Sequence, residues 1–419
     1  MLHPREKKTA KARFAVALPK AGPGVYTTGI MKTGLSYVLI TPYAVAKNRT
    51  GGILSRLLSR TDLDLAGVQM FAADGAFAKK YAGVLRERYP GGPLADYVDR
   101  NLAKLNGAGS LLLLFRGGDP CGQLMRVCGD IDTREASGGT VMDTYGDLVF
   151  SPGNPGEVTH FEPAVQTARS QSEADGDLRM MADFLKDRGN LVGGFSDQPG
   201  VERTKCECTK YERTKCERTL VILKPDNWTY NSSRPGAIID MFSATGLRIV
   251  GAKIHRFSLA QALEFYGPVE AMLKKKLAGR FGSRARELLE REFGFAMGEE
   301  TAGTLSETFG TDCAVNEFAG LVEFMSGKRP GGSDPEKPGD VKCMILIYEG
   351  ENAVAKIRDA LGPTNPADAP PGTVRREFGQ SVMVNTAHAS DSAESFLREK
   401  GIVGMDENTL GAIIREHLG

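Results

Sequence analysis

Between Gly372 and Ser392 the chain reads GTVRREFGQSVMVNTAHASDS, which sets one histidine, His388, among small and polar neighbours behind a Gly-Thr-Val-Arg turn. An imidazole, with an ordinary pKa of about 6.5, offers a neutral ring nitrogen as a nucleophile near neutral pH. Such a nucleophile needs a partner that fixes its tautomer. Glu399 lies eleven residues on, in a segment from Ser392 to Lys400 that reads as helix, so its carboxylate could return to the ring. A single histidine is as readily an ordinary surface or core residue, and the motif therefore asks for context.

That context lies upstream. Leu220 to Asp226, LVILKPD, reads as a core strand stopped by proline with a lysine at its tip. Cys343 to Glu349, CMILIYE, reads as a second buried strand, followed by a short helix from Asn352 to Leu361 and a turn-rich stretch from Gly362 to Gly372. Lys224, Arg358, Thr364, Arg375 and Asn385 are then donors placed at strand tips, a helix and loops, where phosphate binders tend to sit. Phosphoryl transfer needs that equipment, because it proceeds by positioning and by neutralising charge on phosphate oxygens. No GxxxxGK[ST] run occurs, so nothing supports a P-loop mechanism.

In order and spacing these motifs resemble the nucleoside diphosphate kinases, over about Arg218 to Lys400. Lys224 in KPD matches the family's phosphate-contacting lysine, and Tyr266 in EFY its active-site tyrosine. Arg358 and Arg375 match its two phosphate arginines, Thr364 its nucleotide-contacting threonine and Asn385 its ribose-contacting asparagine. His388 matches the histidine that is phosphorylated, with Ser390 and Glu399 in supporting positions. The resemblance implies a ping-pong reaction in which ATP is the phosphoryl donor, nucleoside di- and triphosphates are the partners, and Mg²⁺ bridges phosphate oxygens without a dedicated protein cage.

The sequence departs from the family pattern in three places. Ala389 replaces the glycine that usually follows the histidine. The aromatic face for the base falls near Glu317, which leaves the adjacent Phe318 as its candidate. The largest departure is an insertion, residues 267–316, whose MLKKKLAGRFGSRARELLEREFG reads as one or two amphipathic helices with Leu273, Leu277, Leu288 and Phe293 as apolar positions. Its charge is either a solvated face or a nucleotide-capturing lid or nucleic-acid surface. Ser326 to Asp340 reads as a Pro/Gly-rich surface loop.

The first half repeats the plan. YVLITPY (Tyr37 to Tyr43) parallels LVILKPD, LLLLFRGG parallels MILIYEG, and Gly129 to Gly146 parallels Gly362 to Gly379, as an internal duplication would produce. The chemistry is lost there: Thr41 stands at the place of Lys224 and Met142 at that of Arg375, while His160 is a displaced histidine without its arginine. The expected organisation is a tail over 1–35, a catalytically silent copy over 36–187, a linker over 188–217 and the active copy over 218–419. The silent copy either packs on the active one as an intrachain pseudo-dimer or serves as a spacer, and further homo-oligomerisation is compatible with either. In the linker, ERTKCE recurs at a period of ten. Cys206, Cys208 and Cys216 lack a fourth ligand, so a repeated charged sequence explains them better than a metal site, and no protein metal site is expected.

Alternation of strands and helices fits α/β or α+β equally. The resemblance implies α+β: two ferredoxin-like βαββαβ domains, each a four-stranded antiparallel sheet covered by helices. A chain of 419 residues with 41% hydrophobic content can hold two cores, and a net charge of +1 gives no global pull toward nucleic acid or membrane. Seven cysteines without a framework spacing suit a reducing compartment, and no apolar run approaches the ~18 residues of a membrane span, so a cytoplasmic protein is expected. Three functional readings follow: the kinase itself, a catalytically inactive nucleotide-binding or scaffolding protein, and a phosphohistidine carrier acting on a protein partner.

Overall fold

The two unbroken apolar runs, LLLLF and MILIY, become central strands of two four-stranded antiparallel sheets. The computed structural model describes residues 33–91, 93–102, 109–130, 138–151, 153–192, 216–332 and 334–419. In the first half, β1 (Gly34–Ile40) leads through α1 (Pro42–Ala46) and α2 (Thr50–Arg60) to β2 (Asp64–Phe71), α3 (Gly75–Arg88) and α4 (Pro93–Asn101). Then come β3 (Ser110–Gly117), α5 (Pro120–Cys128), α6 (Val141–Tyr145), a two-stranded ribbon of β4 (Asp147–Ser151) and β5 (Asn154–Glu162), β6 (Val165–Thr167) and α7 (Gln171–Leu185).

The second half runs β7 (Cys216–Leu223), α8 (Arg234–Ser243), β8 (Arg248–His255), the long α9 (Leu259–Phe293), α10 (Glu299–Leu305) and α11 (Thr311–Ser326). It closes with β9 (Cys343–Glu351), α12 (Ala353–Leu361), α13 (Val374–Phe378), β10 (Ala387–Ala389), α14 (Ala393–Ile402) and α15 (Leu410–Leu418). Strand order is β2-β3-β1-β6 in one sheet and β8-β9-β7-β10 in the other, the same plan strand for strand. Even the bulge recurs, between Leu65 and Gly67 in β2 and between Ile249 and Gly251 in β8. The antiparallel pairing decides for α+β, the ferredoxin-like βαββαβ arrangement.

Both faces of each sheet are covered, which is why the central strands read as continuous apolar runs rather than alternating ones. Val38 and Ile40 of β1 face a core shared with the second half, whereas Tyr37 and Leu39 face a second core closed by α3, α7 and α15. Equivalent elements of the two halves meet. Helix α2 packs on α8, and β2 lies beside β8. At the helix crossing the backbones touch: a Cβ on Gly236 would lie 2.3 Å from the Gly51 carbonyl oxygen, and one on Gly51 2.5 Å from that of Gly236, so only glycine fits either position. The C-terminal α15 crosses to the first half and buries Leu410 and Ile414 against it.

Some boundaries move. Strand β1 begins at Gly34 and Leu35 is fully buried, so the sequence-read tail ends before residue 34. Residues 188–192 dock rather than hang free: the Val192 amide donates to the Val250 carbonyl and the Asn190 amide to that of Met405. Cys216 already belongs to β7, while Cys206 and Cys208 lie outside the described residues.

The insertion extends a helix that the fold needs anyway. Ser258 caps α9 with its hydroxyl and Gln261 returns to the Ser258 amide, a capping box, and the helix then runs 35 residues through Pro268 to a left-handed Gly294. The chain returns along it through α10, a π-helical turn (Ser306–Gly310) and α11. Gly310 sits so close that a Cβ there would lie 2.3 Å from the Ala278 carbonyl oxygen. Two expected apolar positions are corrected: Leu288 and Phe293 lie exposed near the far end of α9, because α10 packs there without covering them.

Candidate active site

Strand β10 is only three residues long, and its pairing fixes His388 opposite Ile222 of β7. Its Nε2 lies 3.0 Å from Glu399 Oε1 on α14, and the other carboxylate oxygen accepts from the Ser390 hydroxyl at 2.7 Å. Ser392 caps α14 through the Ser395 amide, so the helix start that aims Glu399 is set by the serine immediately before it. A carboxylate only accepts, so the ring nitrogen facing it carries the proton and Nδ1 keeps its lone pair. Phe265 packs edge-on against the imidazole, with centroids 5.1 Å apart, and holds the ring plane.

Lys224 follows β7 at the start of the Pro225–Asn227 turn, and its Nζ donates to Asn385 Oδ1 at 2.6 Å. Asn385 in turn donates to the carbonyls of Thr364 and Val382, which ties the lysine to both loops. Arg375 on α13 donates to the carbonyls of Gly362 and Ala387, and its Nε, like the Tyr266 hydroxyl, is buried without a partner. Burial, then the neighbouring Arg358, lowers the Arg375 pKa to about 10, and burial pushes the Tyr266 phenol up. Two cavities of about 1050 and 960 Å³ meet here; both are lined by Tyr266, Thr364, Arg375 and His388, with Arg358 on the first and Lys224 and Asn385 on the second. A cavity lined by lysine and arginine side chains suits an anionic ligand.

Burial, helped by Arg375, lowers the Lys224 ammonium from its ordinary 10.5 to about 7. Between those values the unfolded chain holds this proton and the folded one does not, so the lysine makes stability rise with pH across that window. A phosphate against Nζ restores the charge. Nucleotide binding is therefore expected to take up about one proton at pH 8 and to weaken as pH rises above 7. Calorimetric titration in buffers of different ionisation enthalpy measures it, and absence of uptake would contradict the assignment.

Phe318 does not reach the site. It is buried on α11 beneath Lys274, whose ammonium sits 5.3 Å from the ring centroid, and it lines neither cavity; Glu317 and Leu321 face the second cavity instead. The helical period turned the aromatic inward. Along α9, however, one stripe of the insertion lines that cavity, so the solvated-face reading fails there.

Sequence reasoning missed the device between Asn385 and His388. Thr386 has φ +74°, and the Ala387 amide donates to the Asn385 carbonyl across it, a tight three-residue turn that a β-branched residue adopts only under constraint. Arg234 supplies the constraint: one guanidinium nitrogen donates to Thr386 Oγ1 (2.8 Å), the Phe378 carbonyl (2.9 Å) and Asp226 (2.7 Å). The Asp226 of LVILKPD was in view, but nothing in NSSRPG announced Arg234 as its partner.

In the first half, Gln166 sits opposite Leu39 as His388 sits opposite Ile222, and Asp177 follows it by the same eleven residues as Glu399 follows His388. Gln166 donates to Tyr81, Tyr81 meets Tyr37, and Tyr37 and Arg88 donate to Asp177. This network leaves a void of about 30 Å³, room for a water and not for a nucleotide. His160 lies away from it on the β4–β5 ribbon, beside Glu162.

A family model described as nucleoside diphosphate kinase matches residues 301–408. The nucleoside diphosphate kinase of Methylorubrum populi is 36% identical over 178 residues, 42% of this chain and 86% of that protein. The chain belongs to the nucleoside diphosphate kinase family. The enzyme of the same name from Methylorubrum extorquens is 35% identical over the same length and coverage. The crystal structure of an NDP kinase from Pyrobaculum aerophilum is similar at 26% identity, with 45% of this chain and 95% of that one covered and a TM-score of 0.32. Within the family frame, Lys224, Tyr266, Arg358, Thr364, Arg375, Asn385 and His388 converge on one cleft, with Ser390 and Glu399 behind the histidine.

Proposed function

We propose that this chain is a nucleoside diphosphate kinase that moves the γ-phosphoryl group of ATP to a nucleoside diphosphate through phosphohistidine at His388. The observation that carries the reading is the oriented imidazole, with Nε2 on Glu399 at 3.0 Å and Nδ1 left for a cleft lined by Lys224, Arg358 and Arg375. The Nδ1 lone pair attacks the γ-phosphorus; the N–P bond forms as the bond to the β–γ bridging oxygen breaks, and ADP leaves with that electron pair. In the return half-reaction a terminal oxygen of the incoming diphosphate attacks the same phosphorus, and the N–P pair goes back to Nδ1. The Nε2 proton stays at Glu399 throughout, and Ser390 holds the carboxylate in place.

The cationic donors neutralise the equatorial oxygens as charge develops. With lysine and arginines as its donor set, the cleft suits a Mg²⁺ held by phosphate oxygens and water, which when bound further neutralises the phosphates. Among the described residues no cluster of three or more His, Cys, Asp or Glu could hold a metal.

We read the first half as a catalytically silent copy that packs on the second as a subunit would. The matching strand order, the meeting of α2 with α8 and the replacement of His388 by Gln166 support this. Glutamine cannot accept a phosphoryl group as imidazole does. Among the described residues no helix is long and apolar enough to cross a membrane, and Cys121, Cys128, Cys313 and Cys343 are thiols outside any disulfide. Initial rates at varied ATP and diphosphate test the mechanism: parallel double-reciprocal lines are expected, and intersecting lines would exclude the covalent intermediate as an obligatory step.

A further inference from the structure

One stripe of α9 forms the wall of the second cavity opposite Lys224, Asn385 and His388: Leu273, Leu277, Arg280, Phe281, Arg284 and Glu287. Their spacing keeps them on one face of the helix. The cavity is graded in depth. Lys224 and Asn385 are buried at its inner end, while Val382 is 50% exposed and Arg280 and Arg284 are exposed at its mouth. A nucleotide with its phosphates at Lys224 and His388 therefore directs its nucleoside outward, between the α9 wall and Val382. Arg284 is engaged by Glu287 at 2.8 Å, whereas Arg280 has no hydrogen bond or ion pair among the described residues.

Arg280 thus brings a planar fork of donors, and no acceptor, to the place where a base edge would lie. On the edge that carries N7 in purines and C5 in pyrimidines, guanine shows adjacent O6 and N7 acceptors, adenine an acceptor beside a donor, and cytosine a donor. We propose that the α9 wall selects the nucleobase, with Phe281 packing on the base face and Arg280 donating to O6 and N7, so that guanine nucleotides are preferred. The inference rests on the reading of the cleft as a nucleotide site.

Equilibrium binding of GDP, ADP, CDP and inorganic triphosphate to the full chain tests it without turnover. GDP is expected to bind tightest of the three nucleotides. Arg280→Ala weakens GDP about tenfold and brings it toward CDP, leaving inorganic triphosphate unchanged. Phe281→Ala weakens all three nucleotides about tenfold and again spares inorganic triphosphate. Arg280 is exposed, so its substitution leaves the core intact. Equal affinities for GDP and CDP in the unmodified chain, or an Arg280→Ala loss as large for inorganic triphosphate as for GDP, would overturn the proposal. Base-selective binding without phosphoryl transfer would sink only the kinase reading, and transfer without base selectivity only this one.

Discussion

His388→Ala abolishes nucleoside diphosphate kinase turnover, a fall on the order of 10⁴-fold or more, while His160→Ala leaves the rate unchanged. The contrast follows from what each ring touches. His388 is held through Nε2 by a buried carboxylate that Ser390 fixes in turn, and it lines both cavities of the cleft. His160 pairs with Glu162 on an outlying ribbon, and the strand position equivalent to His388 is taken by Gln166. A steady-state coupled assay on the two variants decides the matter. Equal losses would mean that the motif contrast between the halves has been misread.

Lys224→Ala lowers kcat and kcat/KM together by about 10²–10³-fold, the scale seen when one preorganised donor is removed from a developing charge. The lysine's ammonium is already aimed: Asn385 holds it at 2.6 Å, so little reorganisation remains when phosphate arrives. Removing it also frees Asn385 from its partner and leaves Arg375 as the nearest deep cation. A rise in KM with kcat unchanged would instead restrict Lys224 to ground-state binding.

Much of this site was legible in the chain because its parts are local. LVILKPD declared a strand with a lysine at its tip, and the strand ends there because Pro225 cannot continue the ladder. The eleven residues from His388 to Glu399 span a β-strand end and about two turns of a capped helix, a distance that sequence alone can gauge. Phe318 was misplaced because its role depended on which face of α11 turns inward, and that is settled by packing against α9 rather than by its own neighbours. Thr386 and Arg234 were invisible for a similar reason: a residue strained by a contact 152 positions away looks like any other threonine. The insertion read as charged surface because only one stripe of a long helix reaches the cleft, and composition averages over all its faces.

The measurement that bears most directly on the phosphohistidine is incubation of the purified chain with γ-labelled ATP and Mg²⁺, followed by mapping of the label and a chase with GDP. An acid-labile label on His388 that passes to GDP is the predicted result. A protein that turns over without ever carrying label, or that carries it on a residue other than His388, would contradict it.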